Sequence, residues 1–204
     1  MNEIEIVTTK NIDSASLNEF LKYLRTIDEL NVQKSDMFFK SAGETPEFIK
    51  ILADLATWST VFKLAATAFL TKLGALAAED LWRSKGEIAL TLKDKSCKII
   101  RDVSQILYRI KKRSSAHTEV LFSIPVPDRF PGATLTCPAE SEEEIAVYIV
   151  CFAMKSEAIV RVVEEFASKY SNSFISVRLE LLDTGSLRVE LYEIESGDKY
   201  ETLI

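Results

Sequence analysis

The sequence predicts an α+β fold in which two β-α-β-like halves surround a long central apolar helix and the chain ends in an antiparallel hairpin. Three observations predict this class. Segments that alternate polar and apolar residues occur near both ends of the chain, amphipathic helical segments lie between them, and a nearly uncharged helical segment covers about residues 45–83. The 6 glycines and 5 prolines are too few for a collagen-like or low-complexity chain.

The beginning of the chain has the pattern strand, helix, strand. Residues 3–8 alternate polar and apolar side chains, which predicts a half-buried strand. Ser16 and Glu19 form a capping box, which predicts a helix that begins there and continues to about Leu30. Residues 32–39 are compatible with a second strand.

The long central helix is predicted from its first residues and from its apolar length. The segment Thr45-Pro46-Glu47 supplies a hydroxyl cap, a proline for the first turn and an acidic residue. The helix is expected to end near Gly86, with a kink at Gly74. Its heptad pattern forms a wide apolar stripe, which is typical of a helix packed under a sheet or between other helices. The stripe contains Phe48, Leu55, Phe62, Phe69 and Leu76.

Three environments can bury so apolar a helix: the core of the protein, a protein partner, or a membrane into which residues 57–78 insert conditionally. Lys63 and Lys72 are the two charges between Leu55 and Ala78, and each would cost ~2.5–3.5 kcal/mol at the centre of a bilayer. Both lysines lie on the same half of the helix, which suits one solvent-facing edge. The sequence therefore favours the core and keeps the other two environments as alternatives.

The middle of the chain predicts a strand, a helix and two further strands. Residues 87–93 alternate as a strand, and residues 95–112 have an amphipathic helical period that ends in a basic cluster. Strands are then predicted at 119–126 and 133–137.

The next segment is compatible with two structures. Ser141 and Glu144 form a capping box that predicts a helix over 141–170. The unbroken apolar run 145–154 would also suit a buried strand. The helix is favoured because apolar residues recur every seven positions in this segment. These residues are Ile145, Phe152, Ile159 and Phe166.

The end of the chain predicts antiparallel strands. Residues 174–182 and 187–194 alternate around a turn, which predicts a hairpin, and a last short strand is expected at 199–203. The chain is expected to divide into an N-terminal half, 1–115, that contains the long helix, and an acidic C-terminal half, 116–204; one continuous domain is the alternative.

Charge is distributed unevenly between these halves. Of the 25 Lys and Arg and the 31 Asp and Glu, 18 and 15 occur through Ala116, a balance of +3. The remaining 7 and 16 give −9, and the two balances sum to −6. Because carboxylates repel phosphates, we expect no nucleic-acid partner.

The sequence has no pattern typical of a catalytic or metal site. His117 is the single histidine, so a hydrolase centred on it is only an alternative. Cys97, Cys137 and Cys151 form no CxxC pair, so no local ligand pair is present for zinc. The glycines form neither a GxGxxG motif nor a P-loop, so we expect no cofactor. Since no secretion signal is evident, we expect free thiols in the cytoplasm.

Two groups of residues are candidates for binding a partner. The first group comprises three aromatic residues of the long helix, Trp58, Phe62 and Phe69. The second group is the basic cluster at the end of the 95–112 helix, which alternatively offsets the helix macrodipole. The cluster comprises Arg109, Lys111, Lys112 and Arg113. These features predict a non-enzymatic protein-interaction protein, a regulatory or accessory subunit that binds another protein or a second copy of itself.

Overall fold

The strands of the protein form one mixed sheet. The computed structural model describes residues 2–9, 11–27, 30–37, 47–74, 81, 85–114, 118–126, 129–138, 140–169 and 175–204. Within these residues the strands are β1 (Asn2–Thr8), β2 (Leu30–Asp36), β3 (Phe48–Ala53), β4 (Glu119–Val126), β5 (Arg129–Cys137), β6 (Ile175–Leu181), β7 (Leu187–Glu193) and β8 (Lys199–Leu203). The eight strands lie side by side in the order β2-β1-β3-β4-β5-β6-β7-β8.

The helices lie between the strands in the chain. They are α1 (Ser14–Leu24), α2 (Leu55–Thr57), a π-helical segment (Trp58–Phe62), α3 (Lys63–Leu73), α4 (Lys85–Thr91), a 3-10 turn (Lys95–Cys97), α5 (Lys98–Arg113) and α6 (Glu142–Ala167). The three segments α2, π-helical and α3 follow one another without a break, and we call residues 55–73 the composite helix.

Helical crossovers connect the parallel strand pairs. β1 and β2 flank α1, β3 and β4 flank the helices from α2 to α5, and β5 and β6 flank α6; each of these pairs is parallel, and the other neighbours are antiparallel. Burial alternates along the strands, most regularly in β6, where every second residue from Ile175 is buried. The sheet therefore buries one face under the helices and leaves the other largely polar.

Trp58 joins the composite helix to the sheet and to α6. Its ring lies 4.7 Å from the rings of both Phe62 and Phe152, and 6.2 Å from Phe122 in β4. The indole Nε1 donates a hydrogen bond to the backbone oxygen of Ser123, at 3.1 Å. Because a buried indole N–H needs a partner, this bond fixes the orientation of the ring as well as its depth.

Most of the predicted elements are confirmed. The α+β class and the antiparallel end of the chain are as expected, and β1, β2, β4 to β8 and α5 occur where the sequence predicted them. The ambiguous run 145–154 is helical, since it lies within α6. The Oγ of Ser141 accepts a hydrogen bond from the N–H of Glu144 at the start of this helix.

The predicted start of the long helix is wrong. Residues 48–53 form β3 in the interior of the sheet, and the helix begins after Asp54, whose carboxylate accepts a hydrogen bond from the Thr57 N–H at 2.7 Å. The apolar and β-branched run of β3 fits a buried strand as well as a helical stripe, so periodicity alone does not separate them. Thr45 and Pro46 lie outside the described residues.

Gly74 ends the composite helix and does not kink it. It adopts a left-handed conformation, with φ of 72°, and its N–H bonds back to the last turn. This is the usual geometry of a helix C-terminus. The continuation predicted for 75–80 and 82–84 lies outside the described residues.

The predicted strand at 87–93 is also wrong, because α4 covers most of it. Ile88 and Leu92 are buried, whereas Leu90 between them is 67% exposed. Buried positions four residues apart belong to one face of a helix. The alternation of polar and apolar residues over 87–93 therefore arises because Leu90, an apolar residue, lies on the exposed side of this helix.

The two sequence halves share the sheet. Ile49 and Ile51 of β3 pair with Val120 and Phe122 of β4, so strands from residues 1–115 and 116–204 are direct neighbours. The sheet is continuous across the expected boundary between residues 115 and 116. The division of the chain into two halves stays a prediction.

Candidate protein-binding groove

A groove of about 620 Å³ lies on the outside of the helical layer. Its walls are the end of α1, the composite helix, and the start of α5 with the preceding 3-10 turn. Its lining is predominantly apolar with a polar rim. The lining residues are Asn2, Tyr23, Thr26, Ile27, Thr60, Val61, Leu64, Ala65, Ala68, Ser96, Lys98 and Ile99.

The composite helix presents different residues to the core and to the groove. Phe62 and Phe69 are buried in the core, whereas Leu64 is 72% exposed at the surface of the same helix. Ala65 and Ala68 line the groove beside Leu64, and their small side chains leave room there. An exposed leucine among other apolar residues forms a patch that suits another protein.

The threonines of this helix do not compete for a partner's polar groups. The hydroxyls of Thr60, Thr67 and Thr71 each donate to the backbone oxygen four residues earlier, at 2.8 Å. Such bonds satisfy a hydroxyl within its own helix. The outer surface of the helix is therefore less polar than its sequence suggests.

The π-helical segment forms the first turn of the groove wall. The N–H of Lys63 bonds to the oxygen of Trp58, five residues earlier, and this wider turn includes Thr60 and Val61. Single π-turns inside helices are uncommon and occur frequently at functional sites. Here the wider turn accommodates Trp58 and Phe62 together on the core side.

Tyr23 forms part of the groove and lies near a charged pair of α5. The carboxylate of Asp102 in this pair accepts a hydrogen bond from Arg101 Nε at 2.8 Å. Burial, together with the charge of Asp102, raises the pKa of Tyr23 far above its usual value. The phenol stays neutral at physiological pH, so it contributes shape and hydrogen bonding and not acid-base chemistry.

Lys98 is the charged residue in the lining of the groove. It is the exposed first residue of α5, where the partial positive charge of the helix N-terminus adds to its own. No carboxylate among the described residues lies within ion-pair distance of it. The carboxylate of Asp94 caps the preceding 3-10 turn through the N–H and hydroxyl of Ser96, at 2.8 and 2.6 Å, so the positive charge that lines this end of the groove is that of Lys98.

The structure places the three aromatic candidates in the core. Trp58, Phe62 and Phe69 are at most 1% exposed, and all belong to the main apolar cluster. In this fold none of them is available at the surface. The groove is formed by the other side of the same helix.

The basic cluster contacts neighbouring elements of the chain. Arg109 Nη1 lies 2.6 and 2.7 Å from the two carboxylate oxygens of Glu19 in α1. Lys111 Nζ donates to the Pro138 oxygen at 3.0 Å. The remaining two members contact the Tyr108 ring and the Ser16 hydroxyl, respectively; they are Lys112 and Arg113. The cluster thus ties the end of α5 to α1 and to the segment after β5.

The described residues contain no evident reactive centre. Cys97, Cys137 and Cys151 form no disulfide and are buried, and burial raises the pKa of Cys97. No three His, Cys, Asp or Glu side chains among these residues come together to hold a metal ion. His117 lies outside the described residues.

No helix in the described ranges has both the length and the apolar character that a membrane span requires. The composite helix ends at Leu73, before the end of the 57–78 segment considered above.

A second depression, of about 580 Å³, lies along β6, β7 and β8. Arg178, Glu190 and Glu201 line it and stand opposite one another in successive strands. Arg178 is positive whereas Glu190 and Glu201 are negative, so this depression does not favour ligands of one charge. The groove on the helical layer is the better candidate because its lining is apolar and its charge has one sign.

No family model, curated protein or solved structure matches this chain. Functional inference therefore rests on the groove and on the sheet.

Sequence reasoning missed Leu64, Ile27, Ile99 and Lys98 as site residues. One signal was present: Leu64 falls outside the apolar stripe of its helix, so it is a large apolar residue on the predicted exposed side. The other walls come from distant segments, and their proximity depends on the packing of α1 and α5.

Proposed function

We propose that this protein is a non-enzymatic protein-interaction module, a regulatory or accessory subunit that binds an amphipathic helix of another protein in the groove between α1, the composite helix and α5. The observation that carries the proposal is the exposure of Leu64 within an apolar, open groove. Buried cysteines without disulfides are compatible with a reducing compartment, and we propose the cytoplasm.

The shape and lining of the groove support a helical occupant. Two of its walls are helices whose outer surfaces carry small or medium apolar residues, and helices pack into such surfaces through apolar residues spaced three and four apart. Leu64, Val61 and Ile99 would contact that apolar stripe, while Ala65 and Ala68 allow close approach.

Charge supports one feature of the occupant. Lys98 has no described ion-pair partner, so a carboxylate of the bound helix would offset its charge. We therefore expect Asp or Glu next to the apolar stripe of the partner, at the end that meets α5.

A displayed library of helix-forming peptides tests the proposal. Selection on the wild-type protein should enrich apolar residues at helical spacing with Asp or Glu beside them. A selected peptide should bind Leu64→Glu at least about tenfold more weakly, because a carboxylate would then be buried against apolar side chains. Fluorescence anisotropy measures the dissociation constant.

Leu90→Glu is the matched control. Leu90 is 67% exposed, close to the 72% of Leu64, but does not line the groove. Its variant should bind the peptide like wild type, and circular dichroism should show both variants folded. Equal binding by the two variants, or enrichment of peptides without a helical apolar pattern, would contradict the proposed function.

A further inference from the structure

Exposed apolar residues concentrate on the last two strands. Among the described residues, six large hydrophobic side chains are exposed, and four of them belong to β7, β8 or the turn between them. These four are Tyr192, Ile194, Tyr200 and Leu203. This concentration is independent of the groove, which lies near β1 and α1 at the other end of the sheet.

β8 is an edge strand whose outward backbone groups have no neighbouring strand in the sheet order. Ile204 exchanges both backbone hydrogen bonds with Leu187, at 2.8 and 2.9 Å, so even-numbered residues of β8 point their N–H and C=O groups toward β7. Lys199, Glu201 and Leu203 must then point theirs outward. An unpaired edge of this kind is a template for another strand.

The opposite edge of the sheet differs. β2 carries Lys34 on the same face as Ile6, the face that the helices cover, and Lys34 is paired with Asp36 at 2.9 Å. An inward-facing charge on an edge strand hinders pairing with another chain. None of the exposed large apolar residues lies on β2.

We propose that β8 pairs antiparallel with β8 of a second copy of this chain, around a two-fold axis at Tyr200, to extend the sheet across the dimer. In this register Lys199 stands opposite Glu201 of the second copy, and Glu201 opposite its Lys199. Tyr200 stands opposite Tyr200 of the second copy. The proposal does not depend on the occupant of the groove.

Charge complementarity selects this register. A two-fold axis normal to the sheet keeps each residue on its own face, so the axis must pass through a residue. An axis at Glu201 would place two glutamates opposite each other, and one at Lys199 would place two lysines there. The axis at Tyr200 forms two opposite-charge pairs in place of these repulsions.

The backbone and aromatic groups fit the same register. Lys199 and Glu201 are outward-pointing residues, so their N–H and C=O groups would meet those of the second copy as a hydrogen-bonded pair. Tyr200 is 44% exposed and stacks on Phe166, with ring centroids 6.0 Å apart and planes 27° apart. Two such stacks would adjoin at the axis and bury the remaining surface of both tyrosines.

Cysteine cross-linking tests the register. Directly opposite, non-hydrogen-bonded residues of an antiparallel pair have Cα atoms about 4.5 Å apart, which permits a disulfide. Tyr200→Cys should therefore form a covalent dimer under mild oxidation. Thr202→Cys is the matched control, because its two copies would be about 13 Å apart along the strands and should not cross-link. The native cysteines are buried and do not interfere.

Charge exchange tests the contacts without cysteine chemistry. Sedimentation over a range of concentrations should show a dimer for the wild type and at least about tenfold weaker association for Lys199→Glu or Glu201→Lys, since each sets like charges opposite. Lys199→Glu is the cleaner variant, because Glu201 also pairs with Arg188 of its own chain at 3.3 Å. The double variant should recover dimerisation, because the pairs form with exchanged signs. If the single variants weakened association only by unfolding β8, the double variant would not recover it.

Two further outcomes decide the proposal. Leu64→Glu should leave the dimer intact, so that failure at the groove and failure at the edge are distinguishable. A strict monomer at every concentration would overturn the proposal and leave the β8 edge for a strand of a different protein. Equal cross-linking of Thr202→Cys and Tyr200→Cys would overturn the register.

Discussion

At the scale of single residues, two glycines share a backbone conformation but have different surroundings. Gly74 and Gly132 have φ of 72° and 79°, in the left-handed region that favours glycine. A Cβ on Gly74 would meet nothing within 4 Å, whereas one on Gly132 would lie 2.6 Å from the backbone oxygen of Ile124. Gly132 faces the point where the register of β4 and β5 shifts.

Alanine variants of Gly74 and Gly132 therefore separate the cost of the left-handed backbone from the cost of steric overlap. Gly74→Ala should destabilise the protein by about 1–2 kcal/mol, the cost of a left-handed alanine. Gly132→Ala should cost a further 1–3 kcal/mol, roughly, because the strand must move away from Ile124. Urea unfolding at an unchanged m-value measures both; equal losses would show that the β4–β5 strands absorb the methyl group freely.

Side-chain roles at the groove could be predicted only in part. The sequence indicated that Phe62 and Phe69 share an apolar stripe, and both are buried. It did not indicate which side of that helix remains open, because Tyr23 and Ile99 reach the groove from segments far away in the chain. The residue pattern of one segment predicts the faces of one helix, whereas the groove depends on how α1, the composite helix and α5 pack together.

At the scale of elements, the first helix shows how a cap is recognised. Ser16 and Glu19 resemble a capping box, but α1 begins at Ser14 and its cap is Asp13. The carboxylate of Asp13 accepts a hydrogen bond from the Ser16 N–H at 2.8 Å. Ser16 is therefore a donor in the first turn and not the cap.

The Asp13 cap should make stability depend on pH. Hydrogen bonds from Ser16, and then the charge of Arg113, lower the pKa of Asp13 below its ordinary 3.8. A carboxylate with a lowered folded-state pKa stabilises the fold above its unfolded pKa, and this contribution is lost as pH falls through the folded value. Asp13→Asn keeps a capping oxygen but does not titrate there.

We therefore expect the wild type to lose stability relative to Asp13→Asn as the pH falls below about 3.8, and to match or exceed it at neutral pH. Urea midpoints at a series of pH values measure the difference. Ser16→Ala, which removes the side-chain donor, should move the loss to higher pH. A constant difference between wild type and Asp13→Asn across the series would show that the cap does not contribute through its charge.

Whole elements were predicted well where the pattern fits one structure and poorly where it fits two. α5 and the β6–β7 hairpin have a single plausible period, and both occur as predicted. β3 and α4 were misassigned because short apolar segments satisfy strand and helix patterns alike. Tertiary contacts decide such cases: β3 is buried between β1 and β4, and α4 buries residues four apart.

At the scale of the whole molecule, the groove and the β8 edge lie at opposite ends of one sheet. A dimer formed through β8 would hold two grooves at its outer ends. A partner with two suitable helices, or a partner that is itself dimeric, would then bind with an avidity greater than the affinity of one groove. This arrangement relates the proposed function to the proposed assembly without requiring contact between the two sites.

A single sheet also requires that the two sequence halves unfold together. Phe152 of α6 is fully buried and its ring lies 4.7 Å from that of Trp58, so it connects the C-terminal half to the composite helix. Phe152→Leu should destabilise the protein by roughly 1–3 kcal/mol, because it leaves a cavity at this junction. Hydrogen exchange of β1 and β3 reports on the N-terminal half, and hydrogen exchange of β6 and β7 reports on the other.

Both probes should give the same loss of unfolding free energy, since strands of the two halves share hydrogen bonds at the β3–β4 boundary. Leu90→Ala is the control, because Leu90 is 67% exposed, lies away from the β8 edge, and its variant should change neither probe by more than about 0.5 kcal/mol. If Phe152→Leu weakened β6 and β7 but left the exchange of β1 and β3 unchanged, the halves would be separate folding units. The continuous sheet would then join two domains that unfold independently.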